Sequence, residues 1–105
     1  MDVQLRKGLL EFCVLAAIRE SDSYGYQMIK EISEYIAISE STLYPILRRM
    51  EASGKVMSYS VEYHNRIRRY FHLTEAGREA LNGFVKEKEE IMRVLAFITG
   101  GVEDE

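Results

Sequence analysis

Ser41-Thr42-Leu43-Tyr44-Pro45-Ile46-Leu47-Arg48-Arg49-Met50-Glu51-Ala52-Ser53-Gly54-Lys55-Val56 is the stretch on which the fold turns. Leu43, Ile46, Leu47 and Met50 recur at i, i+3, i+4 and i+7, the apolar stripe of an inward-facing helix. Ser39-Glu40-Ser41-Thr42 supplies cap formers before that stripe, and Gly54 follows it as a C′ residue, so a helix is predicted from this cluster to about Ser53. Pro45 is tolerable only near the start of such a helix, because it lacks an N–H and crowds the preceding turn. Thr42, Tyr44, Pro45, Arg48 and Arg49 are left facing outward or sideways. Short polar and aromatic side chains thus come early on the helix and arginines behind them.

Downstream the period changes. Val56 to Tyr63 and Arg68 to Thr74 are rich in β-branched and aromatic residues, and His64-Asn65-Arg66 between them can turn. A β-hairpin is expected, with Phe71 and Leu73 facing in. Thr74 then caps one last helix, from Glu75 to about Ile98, ahead of Gly100-Gly101 and an acidic tail. Along it Leu81, Phe84, Lys88, Ile91, Leu95 and Ile98 form a heptad seam containing one lysine. Upstream, Val3 to about Arg19 forms a first helix, apolar on so many sides that more than one face must be buried. Ser21-Asp22-Ser23 leads into a second helix, Tyr24 to about Ile36. Gly25 falls in its first turn, where the propensity cost is small. The expected class is mainly α with a β-hairpin: a winged helix-turn-helix over residues 1–74, joined to a C-terminal dimerisation helix and acidic tail over 75–105.

A chain of 105 residues suits one core and no more. Arg6 and Lys7 before the apolar run Leu9 to Ile18 mimic a secretory signal, but Glu11 interrupts the run and no small-residue cleavage site follows. The run is too short to span a bilayer. The single cysteine, Cys13, offers no internal disulfide and fits a reducing cytoplasm. Net charge is -3, yet residues 44–74 hold six basic side chains against two acidic ones. Because charges are screened beyond ~8 Å at physiological salt, a positive middle can attract phosphate on an acidic protein. A third helix that enters a major groove ~12 Å wide, flanked by a basic hairpin, needs the chemistry found here.

The residues carry a family resemblance over nearly the whole chain. Tyr24-Gly25-Tyr26, Leu43-Tyr44-Pro45 with Leu47 and Gly54, and Arg69-Tyr70-Phe71 with Leu73-Thr74 and Gly77 resemble the PadR-type transcriptional regulators, in the short subfamily with one C-terminal helix. Where that family usually places glycine and proline at the wing tip, this chain has Asn65 and Ile67. Asn tolerates positive φ, so the wing is kept. The resemblance implies a homodimeric repressor whose N- and C-terminal helices form the interface. It also implies a small-molecule effector, such as a planar phenolic acid or drug, that releases DNA. Some short members hold flat drugs between tryptophans; this chain has none, and Lys88 stands at the matching position.

These readings define the expected sites. Tyr24, Ser41, Thr42, Tyr44, Arg48, Arg49, Arg66, Arg68 and Arg69 are the DNA-binding candidates, with Thr42 and Tyr44 toward base edges and Arg66 and Arg68 toward phosphate or minor groove. Leu9, Leu81, Phe84, Ile91, Leu95 and Ile98 are the dimer contacts. Lys88 is costly to bury unpaired. In this family helix one packs against the last helix of the other subunit, so Glu11 is the natural partner of Lys88 across the interface. The two are read as lining an effector cavity walled by Phe12, Val85 and Met92. The blander account has Lys88 snorkelling its charge past a closed interface. Tyr24 is read either as a cap on the core or as a phosphate contact. The alternative for Arg66, Arg68 and Arg69 is protection of an exposed hairpin, which can hold together with a DNA role. His64 and His72 lack neighbours at metal-ligand spacing, and no phosphate loop, activated nucleophile or carboxylate pair suggests catalysis, so no metal, cofactor or enzymatic role is expected. The partners expected are a roughly palindromic duplex operator and a second copy of the chain. The competing class is a winged-helix adaptor that binds protein and not DNA.

Overall fold

The computed structural model describes residues 1–101; the acidic tail, Glu103-Asp104-Glu105, lies outside the described residues. The element order is α1 (Val3–Ala17), β1 (Ser23–Tyr24), α2 (Gly25–Ile32), α3 (Glu40–Ala52), β2 (Val56–Tyr63), β3 (Arg66–Leu73), α4 (Glu75–Lys86) and α5 (Lys88–Ile98). It is the mainly helical winged-helix arrangement expected, with three differences.

The hairpin is part of a three-stranded antiparallel sheet in the order β1-β3-β2. Two residues before α2 pair with β3, Ser23 opposite Phe71 and Tyr24 opposite Tyr70. This satisfies one edge of β3, and Ser23 is buried in the process. Two residues are too few for any periodicity to reveal.

The turn is tighter than expected. Tyr63 pairs with Arg66, so His64 and Asn65 alone form the loop, with φ of 51° and 63°. Positive φ at both central positions is what a type I′ hairpin turn requires, and His and Asn are among the non-glycine residues that tolerate it best. The expected wing survives the missing glycine, and β3 begins at Arg66 instead of Arg68.

The last helix is two helices. Glu87 has φ -90° and ψ 4°, and its N–H reaches Phe84 O, three residues back. This single tight turn separates α4 from α5. The local composition, Lys86-Glu87-Lys88-Glu89-Glu90, is helix-favouring and so held no sign of it. The interruption falls where the chain leaves the core.

That core comprises Leu10, Val14, Leu15 and Ile18 of the first helical segment, Met28 and Ile32 of α2, and Leu43, Ile46, Leu47 and Met50 of α3. Val56, Phe71 and Leu73 close it from the sheet and Leu81 from α4. The stripe of α3 faces inward as its spacing predicts, and so do Phe71 and Leu73. Gly54, at φ 79°, ends α3, as expected of a C′ residue. Thr74 joins wing to helix: its Oγ1 accepts from Gly77 N at 3.1 Å and donates to Gly54 O at 2.6 Å.

Candidate nucleic-acid interface

The outer half of α3, the start of α2 and the upper wing enclose a concavity of about 630 Å³. Tyr24, Tyr26, Tyr44 and Tyr63 line it together with Glu40, Arg66, Arg68 and Arg69. Aromatic side chains and guanidinium groups on a concave surface suit a polyanion carrying flat or ribose-like edges.

Tyr44 leaves α3 toward the first turn of α2. A Cβ built on Gly25 would stand 2.1 Å from the Tyr44 hydroxyl and 2.8 Å from its Cζ. Glycine is therefore required there for the ring to lie in place. The need arises from α3, not from the helix that contains Gly25, so a reading of α2 alone missed it.

Arg68 is held between two rings, its Cζ 4.1 Å from the Tyr24 centroid and 4.6 Å from that of Tyr63. Stacking of this kind fixes the guanidinium plane without using up its N–H donors. Hydrogen bonding to Tyr70 pushes its pKa above the ordinary arginine value. Tyr24 also meets Tyr70 edge-on at 5.5 Å. Its two readings thus merge: it is half-buried and forms the wall on which Arg68 rests. Tyr63 was not among the expected site residues. Its alternation with Val61 and Tyr59 on one strand face was the available signal.

The arginines differ in freedom. Arg48 and Arg66 are exposed and make no ion pair among the described residues. Arg49 reaches Glu11 Oε2 at 2.9 Å, tying α3 to α1. Arg69 Nη2 lies 3.2 Å from Glu51 Oε1 and 2.8 Å from Ser58 Oγ. Two of the DNA-binding candidates therefore already have a carboxylate. Ser41 and Thr42 are exposed at the start of α3, where Ser39 Oγ meets Ser41 Oγ at 3.0 Å and Thr42 Oγ1 at 3.3 Å. On that side Arg6 and Lys7 of α1 line a smaller concavity with them. Arg6 itself donates to Ala37 O.

The wing face that holds Tyr63 and Arg68 carries, nearer its base, a third carboxylate contact. Asp22 accepts from the Tyr59 hydroxyl at 2.5 Å and meets His72 Nδ1 at 2.7 Å. The hydrogen bond from Tyr59 holds the Asp22 carboxyl below its usual range, with His72 adding to the effect, and the same bond raises the Tyr59 phenol. His72, for which the sequence suggested no role, anchors the wing to the turn after α1.

The expected effector and dimer residues fall into two groups. Phe12 stacks on Phe84 at 4.1 Å, and Leu81 is buried, so these serve the chain's own packing. Leu9 is half-buried. Val85, Met92, Ile91, Leu95 and Ile98 are exposed, as is Lys88, which makes no ion pair among the described residues. Glu11 turns to Arg49 within the chain. Burial pushes the Cys13 thiol up, toward the inert form.

Comparison with known proteins places this geometry. The model of the transcriptional regulator PadR-like family matches residues 14–83. A Mycobacterium tuberculosis transcriptional regulator is 30% identical over 91 residues, covering 86% of this chain and 85% of its own. Among solved structures, a Streptococcus mutans protein is 36% identical with a TM-score of 0.77, covering 92% of each chain. A PadR family transcriptional regulator from Eggerthella lenta is 28% identical with a TM-score of 0.81, covering 92% of this chain and 87% of that one. Among the described residues, no helix is long and apolar enough to cross a membrane.

Proposed function

Since the chain belongs to the PadR-like family of transcriptional regulators, we propose that it is a sequence-specific DNA-binding repressor that acts as a homodimer and is released by a small-molecule effector. The observation that carries the DNA reading is the tyrosine-and-arginine groove between α3 and the wing. Tyr44 within it, and the exposed Ser41 and Thr42 beside it at the start of α3, approach base edges in the major groove. Arg48 and Arg66 meet phosphate, and Arg68, already oriented by Tyr24 and Tyr63, joins them from the wing.

The homodimer reading is supported by α5, no residue of which is buried, although Ile91, Met92, Val94, Leu95, Phe97 and Ile98 are all on it. A contiguous apolar face of this kind marks an interaction surface, and a two-fold pair of chains covers it with its own copy. Two-fold symmetry then asks for a roughly palindromic operator with half-sites about 34 Å apart or a multiple of it. An effector cavity at that interface, bordered by Phe12, Val85, Met92 and Lys88, would take an amphipathic or acidic compound. Glu11, engaged by Arg49, would sit at its edge toward the recognition helix.

The test is selection of duplexes from a random pool, followed by affinity measured against salt. Arg66→Ala is expected to weaken all sequences alike and to shrink the salt slope by about 1. Tyr44→Ala is expected to blur preference among the selected sequences instead. A wild-type protein that retains no duplex even at low salt would leave the adaptor reading standing.

A further inference from the structure

Arg69 borders the groove, yet its charge is not offered there. Ser58 Oγ donates to Glu51 Oε2 at 2.6 Å while accepting from Arg69 Nη2 at 2.8 Å, and Arg69 Nη2 also reaches Glu51 Oε1 at 3.2 Å. The donor and acceptor roles close a triangle joining the last turn of α3 to β2 and β3. Resting on the DNA-binding reading above, we propose that Glu51 is a specificity-determining residue: it fixes the wing against the recognition helix and withholds the Arg69 guanidinium from phosphate.

Two physical points support this role. The first is leverage. Ser58 lies five residues from the wing end at Tyr63, about 17 Å at strand rise. A tilt of about 10° at the clamp therefore moves the tip by about 3 Å, far outside the tolerance of a hydrogen-bonded contact. The second is what the ion pair does not do. The Arg69 side chain is 59% exposed and that of Glu51 35%, and exposed pairs add little to stability. Its effect is felt in binding, where a released guanidinium would strengthen contact with every sequence equally.

Glu51→Gln keeps the shape and one acceptor for Ser58 but removes the charge that restrains Arg69. Affinity for a random-sequence duplex and for the best duplex selected by the wild-type protein is measured across salt, with thermal unfolding as the control for folding. The random duplex is expected to bind the variant more tightly at low salt, with a slope steeper by about 1. That corresponds to about 3.5-fold more affinity lost between 50 and 200 mM salt than in the wild type. The ratio of selected to random affinity is expected to fall. In the double variant Glu51→Gln/Arg69→Gln the steepening disappears while the lost discrimination remains. Slopes and ratio unchanged in a folded Glu51→Gln protein overturn the inference but leave DNA binding intact. Absence of any salt-dependent duplex binding by the wild type overturns both.

Discussion

α3 and α5 are helices of 13 and 11 residues that share an apolar stripe at three- and four-residue steps, α5 carrying Met92, Val94 and Phe97 beside its own. Their surroundings are opposite. Leu43, Ile46, Leu47 and Met50 are between 0% and 5% exposed, whereas Ile91, Leu95 and Ile98 are 41%, 49% and 70% exposed. Periodicity says that a helix has a face to bury, and nothing about which molecule will bury it. The stripe of α3 is covered by α1, α2 and the sheet of its own chain. The break at Glu87 carries α5 beyond all of them.

The sharpest way to break the comparison is to truncate one residue of each stripe. Leu47→Ala is expected to cost about 2–5 kcal/mol of folding stability, read from urea unfolding of a dilute sample, because the cavity opens inside the chain. A loss much below that would mean that the α3 stripe is no better buried than that of α5. Leu95→Ser is expected to leave the core of the chain intact while weakening self-association about tenfold or more in sedimentation. A folded wild-type monomer at micromolar concentration would remove the homodimer from the account. Lys88→Leu should give the smallest change, about fivefold or less in association, because in an open interface the ammonium is hydrated already. The effector response should be lost in that variant. A dimer at least about tenfold tighter, with the response retained, would place Lys88 in a closed seam.

Much of this was legible from residue types at fixed spacing. The α3 stripe, its stop at Gly54, the inward Phe71 and Leu73 and the tolerance of Asn65 for positive φ are local properties, and local patterns report them. What the sequence hid depends on distant partners. Gly25 looks like an ordinary first-turn glycine until Tyr44, on another helix, occupies the space of its missing side chain. Arg49 and Arg69 look like Arg48 and Arg66 until Glu11 and Glu51 are found beside them. Charge counting cannot tell an available guanidinium from an occupied one. Leu81 and Leu95 belong to one heptad pattern, and only the turn at Glu87 assigns the first to the core and leaves the second outside it.

The separation at Glu87 has a kinetic and thermodynamic reading as well. Isolated helices shorter than about 12–15 residues are marginal in water, and none of the 11 residues of α5 is buried within its own chain. If a second copy covers α5 as proposed, its order is a second-order quantity, coupled to the encounter of two chains and subject to mass action, while residues before the break fold in a first-order step. Helicity in this segment should rise and fall with total protein concentration as the core remains unchanged. On that proposal, dilution acts as a denaturant for α5 alone.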